Sequence, residues 1–177
     1  MDTEDLQLVE VEAHESRREE SIAYLQEYGT AGETWGQVAL AEVRRDFFGF
    51  ARRVREWERG QGCPPDGVPT SVFLLMRGPR ILGECTLRHA LTDALRDDGG
   101  HISYGIRPSE RDKGYATYLL RLVLDEARRR GMKRVLLTCD KSNLASARVI
   151  HKNGGFLDGE GISQQRSKLI QRYWIEL

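Results

Sequence analysis

Ile106-Arg107-Pro108-Ser109-Glu110-Arg111-Asp112-Lys113-Gly114-Tyr115-Ala116-Thr117 is the stretch on which the reading of this chain turns. An apolar strand end runs into a polar turn, and Arg-x-x-Gly-x-Ala then opens a long amphipathic segment. A helix is predicted from Tyr115 to Arg130, with Tyr115, Tyr118, Leu119, Leu122 and Ala127 on one face and Gly131 as its stop. Small residues at Gly114 and Ala116 permit close backbone approach and leave the amide N–H groups of the first helical turn available. Those donors and the positive helix end suit an anionic phosphate group. Arg111 and Lys113 would add charge-assisted contacts. The P-loop pattern Gly-x-x-x-x-Gly-Lys-Ser/Thr and the dinucleotide pattern Gly-x-Gly-x-x-Gly are both absent. Taken alone, the stretch leaves open a second use of Gly114, which is simply to ease a strand-to-helix turn.

Upstream, Leu6 to Val11 alternates apolar and polar residues and is expected to form a strand. Two helices should follow. The first runs from about Ser16 to Tyr28, ending at Gly29; the second carries Leu40, Val43, Phe47, Phe50, Val54 and Trp57 at three- and four-residue steps. The breaker-rich run 60–67 reads as a loop. Thr70 to Met76 and Arg80 to Arg88, separated by Arg77-Gly78-Pro79, predict a hairpin. A helical turn over Leu91 to Arg96 and a strand over His101 to Ile106 complete the upstream half. Downstream, Val135 to Thr138 is a buried strand, Leu144 to Lys152 a short helix, and Leu169 to Leu177 a final strand at an exposed sheet end. Strands and helices alternating after a meander imply an α+β fold, a mixed sheet with helices on its faces. We expect a single domain over 1–177. Residues 1–68 would form one flank, and 69–177 the hairpin, the phosphate loop and the C-terminal strands.

The 177 residues suit one domain, which buries roughly 70% of its unfolded surface. Charged residues make up 31% and hydrophobic residues 40%, as in ordinary globular proteins. The 27 Lys and Arg balance 27 Asp and Glu, which argues against a dedicated nucleic-acid binder. Arg128-Arg129-Arg130 and Arg134 more simply solvate a helix end and complement its dipole. No apolar run approaches the ~20 residues of a membrane span, and the acidic N-terminus lacks the order of a secretory signal. Cys63, Cys85 and Cys139 are scattered, as are the four histidines, so neither a disulfide framework nor a metal site is expected. A reducing cytoplasm is the expected setting.

A second stretch adds to the first: Asn143-Leu144-Ala145-Ser146-Ala147-Arg148-Val149-Ile150-His151-Lys152-Asn153-Gly154-Gly155-Phe156. Together the two resemble the GNAT acetyltransferase superfamily. Arg-x-x-Gly-x-Ala is similar to its acyl-CoA pyrophosphate loop, and the Asn-x-x-Ser helix ending in Gly-Gly-Phe looks like its second cofactor-contacting element. The run from Gly100 to Arg111 and the closing Tyr173-Trp174-Ile175 resemble an uncharacterised bacterial subgroup. The resemblance covers Gly100 to Leu177 well, and the N-terminal half only in the order of its elements. It implies a mostly antiparallel sheet with splayed central strands. The activity implied is transfer of acetyl from acetyl-CoA, as co-substrate, to an amine without a covalent enzyme intermediate. By position, Tyr104, Gly105 and Ile106 would offer backbone groups to the pantetheine, and Asp112, Lys113, Gly114, Tyr115, Ala116 and Thr117 would supply amides to the pyrophosphate. Asn143 would hydrogen-bond the pantetheine arm, with Ser146 beside it.

The acid and the base depart from that pattern. Many relatives place a tyrosine in the second helix to protonate the thiolate; counting from Asn143 reaches Ile150, and counting back from Phe156 reaches His151. The count inside one helix is the one followed, which leaves the usual acid missing. Some relatives use a glutamate before the asparagine, where Thr138 stands here. His101 lies on the strand before the loop, but by period-two counting it shares a face with Ser103. Glu84, Tyr104, Asp140, Cys139 and His89 remain. Glu84 interrupts the apolar run Ile81 to Leu87; it either faces solvent, which is the expectation, or sits in a site with a raised pKa. Tyr104 is an acid or a core aromatic, Cys139 a small buried hydrophobe. Glu84 and Tyr104 are the candidates for catalysis.

The expected function is therefore acetyl transfer to a primary amine of a small molecule, or of a protein. The competing expectation is an acyl-CoA-binding module that lost its acid and base. Positioning alone accelerates direct transfer, which favours the enzyme. A homodimer through the exposed end strand is compatible with the sequence, which does not require one.

Overall fold

A computed structural model describes residues 3–11, 14, 17–32, 34–63 and 67–177. The element order is β1 (Leu6–Glu10), α1 (Arg18–Thr30), α2 (Thr34–Arg45), α3 (Phe47–Glu58), β2 (Thr70–Arg77), β3 (Arg80–Arg88), α4 (Asp93–Asp97), β4 (Ile102–Ile106), α5 (Tyr115–Arg129), β5 (Arg134–Asp140), α6 (Leu144–Lys152), β6 (Phe156–Ile162) and β7 (Leu169–Glu176). A single 3-10 turn, Pro108–Glu110, lies between β4 and α5.

The strands form two antiparallel sheets, ordered β1-β2-β3-β4 and β5-β7-β6. They meet at one joint. The His101 amide donates to the Leu136 carbonyl at 2.7 Å, and the Leu136 amide donates to His101 Nδ1 at 2.8 Å. A side-chain nitrogen thus replaces a backbone acceptor. β4 and β5 then continue in different sheets, which gives the expected splay between the central strands. α5 forms where expected, but its buried face is turned slightly: Tyr115, Leu119 and Ala127 are buried with Leu120, Val123 and Leu124 in the core that β3, β4 and β5 also line, while Tyr118 and Leu122 are only partly buried against it. A second apolar cluster joins Tyr24, Leu25 and Tyr28 of α1 to Val43, Phe47, Met76 and Ile81.

Three expectations need correction. The single second helix is two, α2 and α3, broken at Asp46, whose carboxylate accepts from the Gly49 amide at 2.8 Å and caps α3. The apolar steps continue across the break because both helices face the same core, so periodicity could not reveal it. A strand went unread: β6 pairs with β7 at a sheet edge and exposes Phe156, Leu157 and Ile162, so it lacks the alternation that burial on one face imposes. The last strand is consequently not at an end, since β7 lies between β5 and β6, and a dimer through an exposed end strand loses its basis. The expected start of α1 at Ser16 and residues 64–66 of the breaker-rich loop lie outside the described residues. The arginines after α5 behave as surface charges: Arg128 pairs with Asp125, Arg129 and Arg130 pair with Glu126, and Arg134 stacks over Trp174. Among the described residues, no helix is long and apolar enough to cross a membrane.

Candidate active site

The splay opens into a cavity of about 840 Å³ lined by the loop before α5, the end of β4, the first turns of α6, and Tyr28 and Glu84. At the loop end the backbone turns left-handed twice, at Asp112 (φ 61°) and at Gly114 (φ 87°), the second being a conformation that a glycine adopts without strain. Gly114 occupies the N-cap position of α5 and, among the described residues, no side-chain cap accepts from the first turn. The N–H groups of that turn lack intrahelical partners by construction, so the cavity wall presents donors at a positive helix end. Arg111 is anchored by its Nε to the Ile106 carbonyl at 3.1 Å, and its guanidinium lies 5.6 Å from the Tyr28 ring centre. Lys113 is the exception among the expected residues. It does not line the cavity, and its ammonium is held by the Ser109 carbonyl (2.9 Å) and by Glu110 (2.8 Å), which does. Tyr104, Gly105, Ile106, Arg111, Asp112, Gly114, Tyr115, Ala116, Thr117, Asn143 and Ser146 all line it as expected.

On the opposite wall Asn143 caps α6, its Oδ1 accepting from the Ser146 amide at 3.0 Å. Tyr104 spans core and cavity. Its ring packs against the core, and its hydroxyl sits 2.9 Å from Ser146 Oγ at the cavity wall. Burial pushes the Tyr104 pKa up despite the Ser146 hydrogen bond, so it holds its proton throughout the neutral range.

Glu84 does not face open solvent. On β3 it stands opposite Gly105 of β4, and a Cβ at position 105 would collide with its carboxylate and with the Tyr28 hydroxyl. The Tyr28 hydroxyl donates to Glu84 Oε2 at 3.4 Å and accepts from Tyr24 at 3.2 Å. Withdrawal from water pushes the Glu84 pKa up to about 8, against the pull of the Arg111 charge. The solvent-facing expectation failed because α1 covers this face of the sheet, which no local pattern reports.

The remaining candidates are engaged elsewhere. Ile150 is fully buried, and His151 Nδ1 lies 2.9 Å from the Gly155 carbonyl with its ring against Tyr173. His89 contacts Ser71 at 2.9 Å, Cys139 is buried, and Asp140 pairs with Arg166 and Lys168. His101 serves the joint, where burial and then the nearby Arg96 and Arg88 push its pKa down to about 4. A smaller cavity of about 290 Å³, lined by Asp98, Ser103, Thr138, Asp140 and Arg166, shares Tyr104, Asn143 and Ser146 with the first. Sequence reasoning missed Tyr28, Glu110, Ala145, Arg148, Val149 and Lys152 among the lining residues. Tyr28 was visible only as an apolar position of α1; Arg148 and Lys152, four apart on α6, share with Ala145 and Val149 a face that helical spacing could have shown.

The acetyltransferase (GNAT) domain profile matches residues 9–155. A search of curated protein sequences finds no match. Solved structures share the fold at low identity. The ribosomal L7/L12 alpha-N-protein acetyltransferase RimL in complex with coenzyme A superposes with a TM-score of 0.72 at 17% identity, over 98% of this chain and 95% of that one. The microcin C7 self-immunity acetyltransferase MccE, in complex with acetyl-CoA and AMP, gives 0.71 at 14%, over 98% and 93%. Mycobacterium smegmatis RimJ in complex with CoA-disulfide gives 0.71 at 17%, over 97% and 81%. With a splayed pair of sheets, an uncapped helix behind the loop and a family match spanning most of its length, this chain belongs to the GNAT acetyltransferase family.

Proposed function

We propose that the cavity seats acetyl-CoA with its pyrophosphate on the first turn of α5 and its thioester between Tyr104 and Glu84, and that an acceptor amine attacks there directly. One observation carries the reading: a single cavity joins an uncapped helix N-terminus to a carboxyl group titrating near neutrality. Amides from Asp112 to Thr117 and the Arg111 guanidinium would hold the pyrophosphate, Lys113 contributing its main chain only. Arg148 and Lys152 would offer further positive charge. The β4 backbone at Tyr104, Gly105 and Ile106, with Asn143 and Ser146, would align the pantetheine. Residues 1–68, within one domain over 1–177, would form the acceptor side, since α1 brings Tyr28 against Glu84.

As a carboxylate, Glu84 accepts the proton that the acceptor's ammonium must lose. The amine nitrogen then bonds the thioester carbonyl carbon and the C–S bond breaks. The departing thiolate takes the Tyr104 proton, and the second proton that the nitrogen sheds as the amide forms returns to Tyr104 by way of the Ser146 hydroxyl. The acceptor is a primary amine of a small molecule or of a peptide, and the setting is the cytoplasm, where acetyl-CoA is available.

The test is thiol release from acetyl-CoA across a panel of small amines and peptides, with the best acceptor carried into pH profiles. Because Glu84 keeps its proton below about 8, kcat/KM should rise through that pH. Glu84→Gln should lower it by ~10²- to 10⁴-fold and abolish that inflection, with acetyl-CoA affinity retained. A Glu84→Gln enzyme of wild-type rate would remove Glu84 from the chemistry.

A further inference from the structure

Arg107, the residue that follows β4, is 3% exposed. Its guanidinium donates to Glu27 Oε1 at 2.6 Å, to the Ile81 carbonyl at 3.2 Å and to Glu20. Glu20 also accepts from the Ile81 amide at 2.8 Å. The other oxygen of Glu27 accepts from the Ser109 hydroxyl at 2.7 Å and the Ser109 amide at 3.3 Å. Two carboxylates two helical turns apart on α1 therefore grip the start of β3, the end of β4 and the 3-10 turn that launches the phosphate loop. Tyr28, next along α1, donates to Glu84, and its ring lies beneath Arg111. Neither Glu27 nor Arg107 lines the main cavity.

We propose that Glu27 is a positioning residue that couples the phosphate-binding loop to Glu84: it fixes Arg107 and Ser109 on one side, and on the other sets the helical turn from which Tyr28 meets the carboxyl group. The proposal rests on the reading of Glu84 and of the loop given above. Removing Glu27 leaves the buried Arg107 guanidinium held by Glu20 and the Ile81 carbonyl alone, on the β3 side, and releases Ser109. Displacement of either end matters because transfer depends on sub-ångström alignment. The groups facing Glu84 are Tyr28 of α1, with Tyr24 behind it, and Arg111 of the loop. Loss of the Tyr28 donor disfavours the carboxylate, which raises the midpoint of Glu84.

Two readouts independent of any acceptor test this: calorimetric affinity for CoA, and the Glu84 titration midpoint by carbon-13 NMR of labelled glutamate. Glu27→Gln should weaken CoA binding roughly tenfold, inside the ~5- to 150-fold span of coupled sites, and should also raise the Glu84 midpoint. Ser109→Ala should weaken CoA binding alone, and Tyr28→Phe should raise the midpoint alone. If Glu27→Gln does not fold, Glu27→Asp, which keeps the charge but withdraws it by one methylene, must show the same two changes. A Glu27 variant that only lowers thermal stability, with either readout unchanged, overturns the coupling. A Glu84 midpoint at the ordinary carboxylate value in the parent protein, or no CoA binding by it, overturns the site reading and the coupling together. These results differ from a failure of the coupling alone, in which the parent behaves as expected.

Discussion

Asn143 illustrates how one side chain can serve fold and site together. Its oxygen caps α6 by accepting from the Ser146 amide, while the same residue lines the cavity beside Ser146 and Tyr104. The two roles separate by substitution. Asn143→Ala should cost about 1 kcal/mol of stability through the lost cap and should also raise the KM for acetyl-CoA. Asn143→Asp keeps an accepting oxygen but loses the amide donor and adds negative charge, so stability should hold while KM still rises. Parallel melts and acetyl-CoA titrations of the two variants check this, and a normal KM in both would leave Asn143 with the cap alone. Glu84 makes the complementary point. Its interruption of an apolar strand was legible, yet its exposure depended on α1, far away in sequence.

At the scale of elements, carboxylates hold the connection between β6 and β7: Asp97 accepts from the Gln164 amide, Asp140 pairs with Arg166 and Lys168, and Asp98 gathers the most contacts. Asp98, at the end of α4, accepts from Ser163 Oγ at 2.6 Å, from Arg166 Nε and NH2 at 2.6 and 2.9 Å, and from Thr138 Oγ1 of β5 at 3.2 Å. Burial alone would raise its pKa, but Arg166 and Ser163 hold it below the ordinary carboxylate range. Asp98→Ala strands the buried Ser163 hydroxyl and should cost about 2 kcal/mol, read from the urea midpoint; an unchanged midpoint would contradict this role. The same scale explains which elements were legible. The hairpin β2–β3, α5 and α6 carry their own turn residues and apolar spacing, and they lie where the sequence placed them. The division of α2 from α3 and the edge strand β6 depend on a cap and on pairing with β7, and neither leaves a periodic trace.

Across the whole molecule, the two sheets depend on the joint between His101 and Leu136. As acceptor of the Leu136 amide, His101 Nδ1 must be unprotonated. Its pKa, pushed down to about 4 from the ordinary 6.5, means that the unfolded chain binds the proton more readily. The contribution is complete above pH 6.5 and is lost as pH falls from there toward about 4. Thermal melts should show this as a fall in Tm between those pH values. His101→Gln, whose amide oxygen can accept without titrating, should show a shallower fall. Equal slopes for the two proteins would exclude His101 as the source. Gly100 belongs to the same joint: a Cβ there would run into the Leu136 carbonyl.

By itself the sequence determined what short-range chemistry can write. The strand-turn-helix around Gly114 needs a left-handed cap and small residues, and Asn143 needs only the helix that follows it; both are local requirements, and both were readable. Apolar spacing and the order of elements likewise pointed to an α+β fold. The tertiary structure alone decided which polar side chains face inward. Glu84 becomes a half-buried group in a cavity only when α1 lies over β3, Lys113 is held by Glu110 and the Ser109 carbonyl, and Glu27 meets Arg107 across 80 residues of chain. Burial and charge pairing set protonation, and they arise from contacts between elements that no window of sequence contains.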